Sequence, residues 1–170
     1  RTEPGHPSRT RAAVGLAQFN RLDDFLAKQR AGHAQLKAIL SQVPEISFRR
    51  VIDEAGDSCT FLSWFLPTEA MTVAVVAELK AQNAWGGNFY WYDNNWHYIR
   101  KWDHLKNSSS LSPLNDSQQE ALKKLQSQDL SESDTIMSRC ISSSISLLWT
   151  EDQLRERGEK MMSVIKKLLH

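Results

Sequence analysis

Residues 140–168 read CISSSISLLWTEDQLRERGEKMMSVIKKL, and within this stretch the hydrophobic period changes from two residues to that of a helix. Over 140–148, Ile141, Ser143, Ile145 and Leu147 alternate with serines, the pattern of a half-buried strand. Thr150-Glu151-Asp152-Gln153 then reads as a capping box, in which a hydroxyl and an amide satisfy the first orphan N–H groups of a helix. Trp149, directly before it, is placed to act as a hydrophobic staple. The helix that follows carries Leu154, Met161, Val164, Ile165 and Leu168 on one face. A strand running straight into an amphipathic helix sets the class: strands and helices share one core.

Working outward toward the N-terminus, Ser131 and Asp134 predict the cap of a short helix running into Arg139, whose guanidinium must find an acceptor before the strand begins. Residues 106–130 change character. NSSSLSPLNDS is polar and turn-rich, and 118–128 reads as a short surface helix capped by Asp116, so the segment is an excursion. Before it lies Trp85 to His104, WGGNFYWYDNNWHYIRKWDH, with a strand expected over 88–92. Pro67-Thr68-Glu69 starts a helix to about residue 82 that buries Met71, Val75, Val76 and Leu79. Two strands, 46–51 and 58–66, flank the turn DEAGD and predict an antiparallel pair. Residues 9–42 hold no proline and read as one long helix, ended by Pro44; such a helix bridges two bodies or lies along an interface. The organisation expected is an irregular lead-in at 1–8, a long interdomain helix at 9–43 and an α+β domain at 44–170, with a three- to four-stranded antiparallel sheet and helices on one side.

Composition narrows the partners. The chain has 170 residues, 41% hydrophobic and 24% charged, which suffices for one domain with a real core. A net charge of +1 gives no field to recruit nucleic acid or an anionic membrane, and no apolar run approaches the ~20 residues needed to span a bilayer. Cys59 and Cys140 stand far apart in unrelated contexts and are expected to be buried free thiols, which points to the cytoplasm. No phosphate-cradling glycine loop and no zinc-type spacing is present, so no metal is expected.

The chemistry-bearing candidates cluster in Trp85 to His104. Large rings alternate there with amides, imidazoles and a guanidinium, a mixture that can line a pocket for a polar ligand, rings as walls and polar groups as anchors. Tyr90, Trp91, Asn94, Asn95, His97 and Arg100 are the candidates for substrate contact. Each has a plainer reading beside it. The segment can be an aromatic strand and turn in the core, Asn94-Asn95 a simple turn, His97 a satisfied interior histidine and Arg100-Lys101 a solvated pair.

Two segments carry a resemblance. RAAVGLAQFNRLDDFLAKQR (Arg11 to Arg30) resembles the start of the helix linking large and small domains in the DegT/DnrJ/EryC1/StrS family of sugar aminotransferases, which reads a small-residue pair, VGLAQL, a Leu-Asp step and a basic run. Ser138-Arg139-Cys140-Ile141-Ser142 and SLLWTEDQLRERGEKMMSVIKKL resemble the same family's closing strand and final helix. FYWYDNNWHYIRKWDHL is similar to the subgroup making 8-amino-3,8-dideoxy-manno-octulosonate, a lipopolysaccharide amino sugar acid. The resemblance implies the small C-terminal domain of a fold type I enzyme, pyridoxal 5'-phosphate as cofactor, glutamate and a keto sugar as substrates, and a homodimer. It also implies that His97 matches a histidine reaching the active site. No lysine here lies in a matching Schiff-base motif, so no catalytic residue is nominated. The family's usual lead-in of asparagine, aromatic, Arg-Met and an acidic residue is replaced by Pro4, Gly5, His6, Pro7 and Arg9. The alternatives are a stand-alone carbohydrate- or small-molecule-binding module, or a helical dimerisation domain without catalysis.

Overall fold

The computed structural model describes residues 9–94 and 98–169. Two helices, α1 (Arg9–Phe19) and α2 (Leu22–Leu40), lead into strands β1 (Ser47–Phe48) and β2 (Phe61–Phe65) and helix α3 (Glu69–Ala81). Strand β3 (Asn88–Tyr90) opens a long excursion through 3-10 turns at Trp91–Asp93 and Ile99–Lys101 and helices α4 (Asp103–Lys106), α5 (Asp116–Gln126) and α6 (Ser131–Met137). Strand β4 (Cys140–Ser144) and helix α7 (Glu151–Leu169) close the order. The sheet is antiparallel throughout, in the order β1-β2-β4-β3, so β4 is inserted between β2 and β3. The α+β class with a four-stranded sheet matches the reading of the sequence.

Register follows from which side chains must be dry. Trp64 lies opposite Ile141, which lies opposite Tyr90, so these three share one face with Leu62 and Leu66. That face is covered by α2, α3 and α7, which bring Leu36, Leu40, Val75, Leu79, Val164 and Ile165 into the same core. Each such fully buried aliphatic side chain stabilises by on the order of 2 kcal/mol relative to exposure. Helices α2 and α7 lie close because Gly158 has no side chain: a Cβ there would stand 2.9 Å from Ile39 Cδ1 and 3.1 Å from Leu36 Cδ1.

Polar groups inside this core are paired. The Trp64 indole donates to Ser143 Oγ at 3.0 Å, and that hydroxyl donates in turn to Asn88 Oδ1. The three residues come from three adjacent strands, so a slip of β2, β4 or β3 would strand at least one buried polar group. Strand β4 is therefore buried on both faces, with Ser142 and Ser143 inaccessible, and the expected half-buried strand is corrected on this point. Its serines are tolerated because every buried hydroxyl has a partner.

Other boundaries moved for local reasons. The long helix is two: the chain breaks at Asn20-Arg21, and α2 starts afresh with Asp23 and Asp24 in its first turn, where carboxylates favour a helix N-terminus. Strand β2 begins late because Cys59 adopts φ +56 while its N–H is held by Asp57 Oδ1 at 2.9 Å. The cap of α5 is Asn115, in a reciprocal box with Gln118, in place of Asp116. Helix α6 has no side-chain cap from Ser131; Asp129 Oδ1 instead accepts from the Ser131 N–H at 2.9 Å. That bond holds the Asp129 carboxyl below its ordinary range. The Thr150–Gln153 box forms as read, with bonds of 3.0 and 3.2 Å. Strand β4 stops at Ser144, and Ser146 Oγ then accepts from the Leu148 N–H to start a turn. Trp149 lies under the Arg157 guanidinium, 4.3 Å away, and against Gly87, where φ is +81 and a Cβ would stand 2.9 Å from the indole.

Both cysteines are buried and free. Burial pushes the Cys140 thiol up to about 12, and that of Cys59 upward too, aided by Asp57. Neither is a nucleophile in this setting.

Candidate functional site

The strand β3 sends its rings to two sides, as its period of two requires. Tyr90, Tyr92 and Tyr98 form one row, with centroids 6.2 and 5.4 Å apart. Phe89 and Trp91 form the other, edge to face at 4.9 Å, on the opposite sheet face. The first row is core at its base: Tyr90 is buried and its hydroxyl donates to Ser138 O at 2.7 Å. Burial, with Glu69 and Asp93 nearby, pushes that phenol upward, so it stays a neutral donor. The core reading of this segment therefore holds for Tyr90.

The chain leaves the sheet after Tyr90 because the Asn94 N–H bonds back to Trp91 O at 3.1 Å, closing a 3-10 turn. The same turn brings the Trp91 indole to Ser142 Oγ at 2.8 Å. Asn94 is half-buried at the turn's end, in extended backbone, where the chain sets out into the excursion. Asn95 and His97 lie outside the described residues. Arg100 is positioned by the second 3-10 turn, and its Nε donates to Asp134 Oδ1 of α6 at 2.7 Å. The Lys101 ammonium sits 5.0 Å over the Tyr92 ring.

These placements separate the four described candidates. Trp91 and Asn94 stand together at the edge where the excursion begins, and Arg100 reaches the same excursion from the α6 side. Tyr90 stands apart, inward, as a member of the core. Beside Tyr92 opens a cleft of about 500 Å³, lined among others by Thr68, Glu69, Asp134, Thr135 and Arg139. On the other side of Arg100 lies a cavity of about 370 Å³ between Ile99, Leu105, Leu125 and Leu130. The mixed polar cleft, with a helix N-cap (Thr68), two carboxylates and a guanidinium at its rim, suits a polar, hydroxylated ligand better than the leucine-lined one.

Sequence reading missed two contributors here. Asp134 was assigned to a cap and is instead the partner of Arg100. Tyr98 is 4% exposed, and its hydroxyl has no hydrogen-bond partner among the described residues. Nothing in a linear pattern signals either, because both depend on elements over thirty residues apart or on depth. Arg139 found its acceptor as expected: Nε donates to Thr135 O at 2.8 Å.

The comparisons with known proteins agree with this architecture. Over residues 8–161 the chain matches the DegT/DnrJ/EryC1/StrS aminotransferase family, and it belongs to that family. Among solved structures it is similar to 3-amino-5-hydroxybenzoic acid (AHBA) synthase, with a TM-score of 0.59 at 18% identity. That likeness covers 92% of this chain and 38% of the other, so the chain spans well under half the length of the relative and shares the fold of part of it.

Family membership implies pyridoxal phosphate. The described residues do not assemble a site for it. Every described lysine is exposed except the half-buried Lys166. No helix among the described residues is long and apolar enough to cross a membrane.

Proposed function

We propose that this chain is the substrate-facing C-terminal part of a pyridoxal-phosphate-dependent aminotransferase that moves an amino group from glutamate to a keto sugar in the cytoplasm. The observation that carries the reading is the family match over nearly the whole chain, joined to a polar, aromatic edge where the chain leaves β3. The cofactor supplies the electron sink when bound. What this chain adds is placement: a sugar is held by hydrogen bonds to its hydroxyls and by a ring against its apolar face.

Within this reading Asn94 and Asn95 bond sugar hydroxyls or a carboxylate, His97 reaches the reacting end, and Trp91 forms a wall. Arg100, bonded to Asp134 through Nε, offers a substrate carboxylate its planar fork. Tyr90 supports the edge from beneath through Ser138. The similarity of FYWYDNNWHYIRKWDHL to one subgroup favours an 8-oxo octulosonate as the sugar, for lipopolysaccharide amino-sugar synthesis. Seating a cofactor held elsewhere calls for a two-body enzyme, and a homodimer fits that demand.

The test is transamination by the complete gene product with Asn94→Ala, Asn95→Ala and His97→Ala variants. Sugar turnover should drop while pyridoxal phosphate uptake and the unfolding midpoint stay unchanged. Unaltered kinetics in all three variants would remove the edge from the site.

A further inference from the structure

Two serines that follow one another on β4 each hold an indole, one on either face of the sheet. On the core face Ser143 accepts from Trp64 at 3.0 Å and donates to Asn88. On the opposite face Ser142 accepts from the Trp91 indole at 2.8 Å and shares a 2.6 Å hydrogen bond with Ser63. The register sets up this second group, since Ser63, Ser142 and Phe89 lie opposite one another on β2, β4 and β3. We propose that Ser142 is a positioning residue for the keto sugar, holding the Trp91 ring in the orientation that meets the sugar's apolar face. The inference deepens the aminotransferase reading above and rests on it.

Three observations carry it. The first is burial. Trp64 is fully buried, so close packing fixes its ring in any case, whereas Trp91 is half-buried and packing alone does not fix it. The second is that the contacts on Trp91 restrain it in complementary ways. Phe89 meets it edge to face, with centroids 4.9 Å apart, and limits its tilt; the bond to Ser142 limits its swing. The third is the setting of the acceptor. Ser142 is wholly buried, so water cannot stand in for it, and the indole N–H can only donate. With Ser63 accepting from it, the Ser142 hydroxyl becomes a stronger acceptor for that N–H. A ring fixed in advance spends no binding free energy on being ordered. The bond also takes up the indole N–H, so Trp91 acts on the sugar through its ring.

The test is a double-mutant cycle in the complete gene product, with an 8-oxo octulosonate as acceptor and glutamate as donor. Ser142→Ala should raise the KM and the calorimetric Kd for the sugar about tenfold, the factor that one hydrogen bond's net free energy sets, with kcat and the KM for glutamate unchanged. Trp91→Phe keeps a ring but deletes the N–H, and should raise both sugar constants comparably. In the Trp91→Phe background, with no N–H left to hold, Ser142→Ala should add nothing. A serine that only supports the strand would cost the same in both backgrounds, and equal costs overturn the proposal. Ser144→Ala removes a hydroxyl bonded to Gly87 O on the same strand and should leave the sugar constants unaltered; an effect as large as that of Ser142→Ala overturns the proposal too. Should Ser142→Ala not fold, Trp91→Phe decides, and unchanged sugar constants there overturn the positioning role. A raised KM in Trp91→Ala beside an unchanged one in Ser142→Ala overturns that role and leaves the aminotransferase reading standing. Unchanged sugar constants in Trp91→Ala, or no turnover by the parent protein, sink the reading itself and the inference with it.

Discussion

The sheet of β2, β4 and β3 and the excursion from Trp91 to Met137 are both rich in polar residues, yet they hold them in opposite ways. In the sheet, Trp64, Ser143 and Asn88 satisfy each other out of water, across three strands. In the excursion the ties are at the surface: Arg100 to Asp134, and Gln126 to the backbone of Leu105 and Lys106. Buried pairs are expensive to break because the abandoned group cannot turn to water; surface pairs are cheap because it can. The difference divides the molecule into a part whose polar pairs are costly to break and a part whose pairs are cheap.

The largest test of that division is Trp64→Ala. Trp64 is fully buried at the centre of the sheet, and its loss should destabilise by about 4 kcal/mol in urea unfolding, from cavity formation and the lost indole bond to Ser143. A cost under about 1 kcal/mol would mean that the sheet is not the costly half. Ser143→Ala comes next. It removes no more than one heavy atom but takes the partner from both the indole N–H and Asn88 Oδ1, for about 2 kcal/mol.

On the excursion, Arg100→Ala should cost less than about 1 kcal/mol, since both partners are substantially exposed. Its effect should show instead as faster amide exchange in α6 alone. Equal costs for Ser143→Ala and Arg100→Ala would erase the contrast between the two regions.

The smallest effect is one of pH. His33 on α2 has its pKa lowered from 6.5 by burial first, with Lys37 and Arg49 adding to the shift and Asp57 opposing it. The unfolded chain therefore takes up that proton before the folded one does. Stability is full above the unfolded value and declines as pH falls through the interval below it. Urea midpoints for the parent chain should be slightly lower at about pH 5.5 than at about pH 7.5, and His33→Gln should flatten that difference.

The legibility of the sequence follows the same split. The core face of β2, the apolar stripe of α7 and the Thr150–Gln153 box were readable, because burial and capping impose short periods that a linear pattern records. The break at Asn20-Arg21 was not, since neither residue is a strong breaker and only the restart at Asp23-Asp24 hints at it. The edge at Trp91 and Asn94 was legible as a cluster of rings and amides. That Tyr90 turns inward while Trp91 turns outward depends on which sheet face the helices cover, a fact with no local signature.

By itself, then, the sequence determined the class, the strand and helix order and the stretch that carries the polar edge. These rest on hydrophobic period and on capping chemistry within a few residues. Only the tertiary structure decided that β4 lies between β2 and β3, that it is buried on both faces, and that Asp134 belongs to Arg100. Those choices join residues tens of positions apart, and it is burial in three dimensions that selects among the pairings a linear pattern allows.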